Sequence, residues 1–88
     1  MAIRPMNMKM MQEESFYQTS DLALATVLSL SYPIEATDKS NPRKAQFIFR
    51  RDKNLDALIE DYWRGEVRVE PQIYFQQLRG MKARIYND

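Results

Sequence analysis

The chain contains no cysteine and no histidine. Without cysteine there is no disulfide or thiolate–metal staple, a composition that fits a reducing cytoplasm. Without histidine the commonest general base and metal ligand is gone, the one side chain that ordinarily titrates between about pH 5 and 8. A Ser–His or Cys–His nucleophile pair and the usual zinc sites are thereby excluded. Only carboxylate magnesium or calcium sites and lysine or tyrosine chemistry stay open. The expectation is a protein that is not an enzyme and uses no cofactor or small-molecule substrate. Long apolar runs are missing too. The most apolar stretch, Leu22 to Leu30, falls well short of the ~20 residues needed to cross a bilayer, and no signal-like run opens the chain. No membrane partner and no secretion are expected. Charge of one sign is lacking as well: 13 Lys and Arg against 12 Asp and Glu leave a net +1. Any contact with nucleic acid must then come from local clustering, because the whole-molecule field is weak.

What is present is an ordinary globular composition, 44% hydrophobic and 11% aromatic over 88 residues. That length is one domain, near the lower limit for a core without staples. Residues 1–14 hold five of the six methionines and show no apolar periodicity. They read as a Met-rich, flexible tail, with a single α+β domain over 15–88.

Phe16-Tyr17-Gln18 reads as a short strand. Thr19 or Ser20 then caps a helix, with Asp21 against the positive end of its dipole. The helix through Ser31 carries Leu22, Ala23, Leu24, Ala25, Val27, Leu28 and Leu30, apolar around most of its circumference. It should be buried on several sides, and Tyr32-Pro33 ends it. Ile34 to Thr37 forms a second strand with Ile34 and Ala36 on one face. After a turn-forming connector, Asp38 to Pro42, the chain alternates from Arg43. Ala45, Phe47 and Phe49 point one way; Lys44, Gln46, Ile48 and Arg50 point the other.

Asp52 caps the next helix, whose stripe is Leu55, Leu58, Ile59, Tyr62 and Trp63, and Gly65 stops it. Pro71 opens a last helix with the stripe Tyr74, Phe75, Leu78, Met81, Ile85 and Tyr86. Gly80 lies inside it, either as a close approach or as a weak point. The order is β-α-β-β-α-α. The third strand is the most apolar and belongs in the middle of a three-stranded antiparallel sheet, with the helices packed on one face.

The candidate binding residues are Arg43, Lys44, Gln46, Arg50, Arg51 and Lys53, which bracket the third strand. They suit a phosphate-contacting hairpin with Gln46 and Tyr17 near exposed bases. Against this stands a solvated hairpin whose charges discourage edge pairing, with Glu35 on the neighbouring strand weakening the positive field. Asp56, Glu60 and Asp61 make an acidic helix face, and Arg79, Lys82 and Arg84 a basic helix end, both arranged as the helix dipole prefers. Tyr62 and Trp63 read as core. Partial exposure of Trp63 beside Tyr74 would instead indicate a protein interface.

Three segments, FYQTSDLALA, KSNPRKAQFIF and the ending DYWRGE…VEPQIYF…LR…KARIYN, resemble a small bacterial family described as a domain of unknown function. The resemblance spans nearly everything after the Met-rich segment. It implies a bacterial or phage-related cytoplasmic protein and supplies no catalytic residue. The partner classes left open are nucleic acid, through the basic hairpin of an accessory module, and protein, including a second copy of the chain.

Overall fold

Alternation around Phe47 and Phe49 makes a strand with one dry face, and the rest of the fold is arranged around it. The computed structural model describes residues 15–41 and 43–86; the Met-rich segment 1–14 lies outside them. The elements are β1 (Phe16–Thr19), α1 (Leu22–Ser29), β2 (Ile34–Asp38), β3 (Gln46–Arg50), α2 (Lys53–Trp63) and α3 (Pro71–Tyr86). The three-stranded sheet has the order β1-β3-β2, and both pairings are antiparallel. The most apolar strand is therefore the central one. Its inward residues Phe47 and Phe49 are 1% and 0% exposed. They join Leu24, Ala25 and Leu28 of α1, Leu55 of α2 and Met81 of α3 in one cluster. Burying a leucine of this kind contributes about 1.5–3 kcal/mol, so these few side chains account for the cohesion of the sheet and helix layers.

Helix α1 is the most enclosed element, buried continuously from Leu24 to Leu28. A polar residue inside that run needs an internal partner. Thr26, 0% exposed, has one: its hydroxyl donates to the Leu22 carbonyl at 2.7 Å. The cap is Asp21 rather than Thr19 or Ser20. Its carboxylate accepts the Leu24 N–H at 3.0 Å, while the Thr19 hydroxyl accepts the Asp21 N–H at 3.0 Å. Regular helix ends at Ser29, earlier than expected, although the chain keeps turning as far as the Tyr32 N–H, which bonds the Leu28 carbonyl.

Strand β2 also departs from simple alternation. A register shift between Ile34 and Ala36 sets Ile34 opposite Phe49 and Ala36 opposite Ile48. Ile34 packs against the core and Ala36 is exposed, so the two do not share a face. The bulge inserts one unpaired residue, Glu35, and swaps the pleat after it. β3 begins at Gln46, leaving Arg43 and Lys44 in the connector.

Helix α2 starts and stops where its sequence directs. Asp52 accepts the Leu55 N–H at 2.7 Å. At the other end Gly65, with φ 74°, sends its N–H to the Tyr62 carbonyl, and Glu66 sends its N–H to Asp61. This is the paired closure that a left-handed residue permits. In α3, Pro71 occupies the first turn, and Glu70 accepts the Ile73 N–H at 2.9 Å. The α3 stripe is only partly inward: Met81 is buried, Tyr74, Leu78 and Ile85 are half-buried, and Phe75 and Tyr86 are exposed. With a core this small, the helix presses only its central line against the other elements.

Gly80 is not a close approach, since a Cβ added there meets nothing within 4 Å. Gly80→Ala is therefore expected to raise stability by about 0.5–1 kcal/mol, measured by urea unfolding. Gly65→Ala, at positive φ, should lower it by a similar amount.

Candidate functional site

Two surfaces carry the residues of interest: the strip around β3 and the flank of α2 beside β1.

The strip is less cationic than its sequence. Arg50 is exposed on the outward face but lies 4.0 Å from Glu35 and holds its guanidinium 5.3 Å from the centre of the Phe16 ring. The bulge places Glu35 there. Arg51 donates to Asp56 at 2.9 Å, across an open hollow of about 420 Å³ lined by Arg51, Asp52, Lys53 and Asp56. Lys53 is exposed at the start of α2 beside the capping Asp52. Gln46 is half-buried on β3, opposite Asp38. The Asp38 carboxyl is held below its ordinary pKa by the Ser40 backbone N–H and then by the Ser40 hydroxyl, so it remains an anion on this face. The strip is thus interleaved with acids at Glu35, Asp38, Asp52 and Asp56.

The six candidates fall into two groups. Arg43 and Lys44 lie at the connector end; Arg50, Arg51 and Lys53 lie at the other end of β3, with Gln46 between. Five residues of strand separate the ends, roughly 13–16 Å at ~3.3 Å per residue. Arg84 of α3 comes to the connector end, with a guanidinium nitrogen 3.4 Å from the Thr37 hydroxyl. Lys39 donates to the Arg84 carbonyl at 2.9 Å. This meeting of α3 and β2 joins residues 45 apart in sequence. Periodicity carries no signal for it. Tyr17, expected near exposed bases, turns inward opposite Phe49 and packs against the core. Its neighbour Phe16 takes the outward place, and the phase of the β1 alternation is legible only once β1 is paired.

The acidic residues of α2 are each matched by an arginine. Asp56 meets Arg51, and Glu60 and Asp61 meet Arg64 at 3.6 and 3.7 Å. Among the described residues no group of three or more His, Cys, Asp or Glu side chains is placed to hold a metal ion.

The second surface overturns a core assignment. Trp63 is 63% exposed. It meets Tyr62 edge-on at 5.0 Å between ring centres, yet only Tyr62 turns inward against the core cluster. The Tyr62 hydroxyl has a raised pKa, first from burial, then from the charges of Asp21 and Tyr74. Tyr62 and Tyr74 line one groove of about 260 Å³ with Ala23, Val27, Val67 and Val69. Trp63 sits four residues after Ile59 and three after Glu60, hence on the same flank of α2. That flank faces β1, because Tyr17, Arg51, Asp56, Ile59 and Glu60 enclose a hollow of about 220 Å³. Helix periodicity put Trp63 in the apolar stripe, but at the last residue of α2 the stripe has run past the core.

The fold defines a small two-layer α+β domain, and among the described residues no helix is long and apolar enough to cross a membrane. The chain belongs to the family described as Domain of unknown function (DUF5659), whose family model matches residues 14–87. No curated protein and no solved structure matches the chain.

Proposed function

We propose that this domain is a non-enzymatic interaction module that docks protein through the aromatic flank of α2. The observation that carries the reading is the exposure of Trp63, 63% in a chain with a single tryptophan. An indole left in water on a domain with so small a core contributes little to folding. Tryptophan is also among the residue types most enriched at binding hot spots. The proposed setting is the bacterial cytoplasm, on the cysteine-free composition and the resemblance described above.

A second reading keeps nucleic acid as the partner. It is favoured by the gathering of Lys39 and Arg84 at the end of the sheet that also carries the exposed Arg43 and Lys44. It is weakened by the acids interleaved with Arg50 and Arg51.

One pair of measurements separates the two. A photoreactive residue in place of Trp63 is expected to form covalent adducts with protein, while the same residue at exposed Ala57 does not. Equal labelling at both positions, or none at Trp63, rejects the first reading. A mobility shift at low salt that is lost on charge reversal of Arg43 and Lys44 supports the second.

A further inference from the structure

The two edges of the sheet are built in opposite ways. β2 carries the devices that prevent strand addition. Pro33 precedes it, and a bulge breaks its register at Glu35. Charged Glu35 and Asp38 lie along it, and its far end is tied to α3 through Lys39 and Arg84. Among the described residues β1 has none of these. Its four residues, Phe-Tyr-Gln-Thr, include no charge and no proline.

The backbone of β1 is also oriented for pairing. Arg51 donates its N–H to the Ser15 carbonyl at 2.7 Å. In an antiparallel ladder the bonded positions alternate, so Ser15, Tyr17 and Thr19 direct their backbone groups toward β3. Phe16 and Gln18 direct theirs outward. Phe16, 39% exposed, is on the outer face of the sheet, and Trp63, 63% exposed, is at the end of the α2 flank whose earlier turns face β1. Between β1 and α2 lies the hollow lined by Tyr17 and Ile59.

We propose that β1 is a docking edge and that its occupant is a second copy of this chain, paired antiparallel about a two-fold axis at Tyr17. The inference rests on the reading of Trp63 as an interface residue and names the partner. In this arrangement Phe16 of one copy bonds Gln18 of the other twice over, and the three-stranded sheets merge into one continuous sheet. A two-fold contact sets the same edge against itself, so a charged edge would repel itself; the neutral β1 does not.

The area is also consistent. At the observed exposures, Trp63 offers roughly 150 Å² and Phe16 roughly 80 Å². Those two side chains give about 230 Å² per copy, so Gln18, the strand backbone and the open side of the hollow must supply the rest of the roughly 500–600 Å² per copy, about 1,000–1,200 Å² in all, that a small specific dimer needs. That is the lower limit for a specific interface. The dimer should accordingly dissociate on dilution.

The test is sedimentation velocity of the full chain over a wide concentration range, at low and high salt. The expected result is a shift from the mass of one chain to that of two, insensitive to salt. Gln18→Pro removes an outward N–H that β3 does not use, and should abolish the dimer while leaving the far-ultraviolet circular dichroism unchanged. Trp63→Ala should weaken the dimer at least about tenfold. A monomer at every concentration overturns the proposal, as does a dimer that survives Gln18→Pro. If the chain is monomeric while the photoreactive residue at position 63 still labels another protein, the interface reading stands and only the second copy is wrong. Labelling of nothing removes both.

Discussion

Phe49→Ala is expected to lower the stability of the domain by about 3–5 kcal/mol, the range for truncating a buried aromatic residue. The side chain is 0% exposed on the central strand, with Tyr17 opposite on one side and Ile34 on the other. Its ring is therefore shared by all three strands as well as by the helices above. Leu24, Leu28 and Leu55 beside it are themselves buried in the cluster, so truncation leaves a cavity that they refill only in part. Small domains hold only about 5–15 kcal/mol in total. Urea unfolding followed by circular dichroism should show a large fall in midpoint. A loss below about 1 kcal/mol would mean that the sheet and helices do not share one core.

Met81→Ala should be nearly as costly, about 2–5 kcal/mol, and its effect should be localised. Met81 is the only buried residue that α3 contributes to the cluster. The other ties of this helix are half-buried or polar: Tyr74, Leu78 and Ile85, the 2.9 Å bond from Gln77 to the Ser29 hydroxyl, and the contacts of Lys39 and Arg84. Polar ties of that kind are worth ~1 kcal/mol each. Removing Met81 should therefore loosen α3 before the sheet. Hydrogen exchange is expected to accelerate across residues 71–86 while the amides of β3 remain protected until global unfolding. Uniform loss of protection would instead show that α3 is an integral part of one cooperative unit.

Much of this arrangement was legible in local sequence. Asp52 and Gly65 bound α2 through contacts that span only a few residues, so residue type alone announces them. Phe47 and Phe49 declared their face by alternation, and the apolarity of β3 placed it in the centre. The failures share a cause. Trp63, Phe75 and Tyr86 fit an apolar stripe, but periodicity says which side of a helix is apolar and nothing about how far the opposing core extends. Ile34 and Ala36 were separated by a bulge, which arises from pairing with β3 and leaves no mark in a four-residue pattern. Tyr17, expected outward, turned inward for the same reason, since the phase of so short a strand is set by its partner.

The candidate site divides along the same line. That basic residues cluster between Arg43 and Lys53 is a property of the sequence, and so is the exclusion of histidine and cysteine chemistry, because composition survives any folding. Which charges remain unopposed is not such a property. It depends on Glu35 reaching Arg50, on Asp56 reaching Arg51, and on Arg84 arriving beside Thr37 from the far end of the chain. The sequence alone determined the elements, their order and the chemistry ruled out, because these rest on residue type and short-range spacing. Only the tertiary structure decided that β1 and β2 are the two edges of the sheet and that a bulge breaks the register of one of them, because an edge exists only once strands have paired.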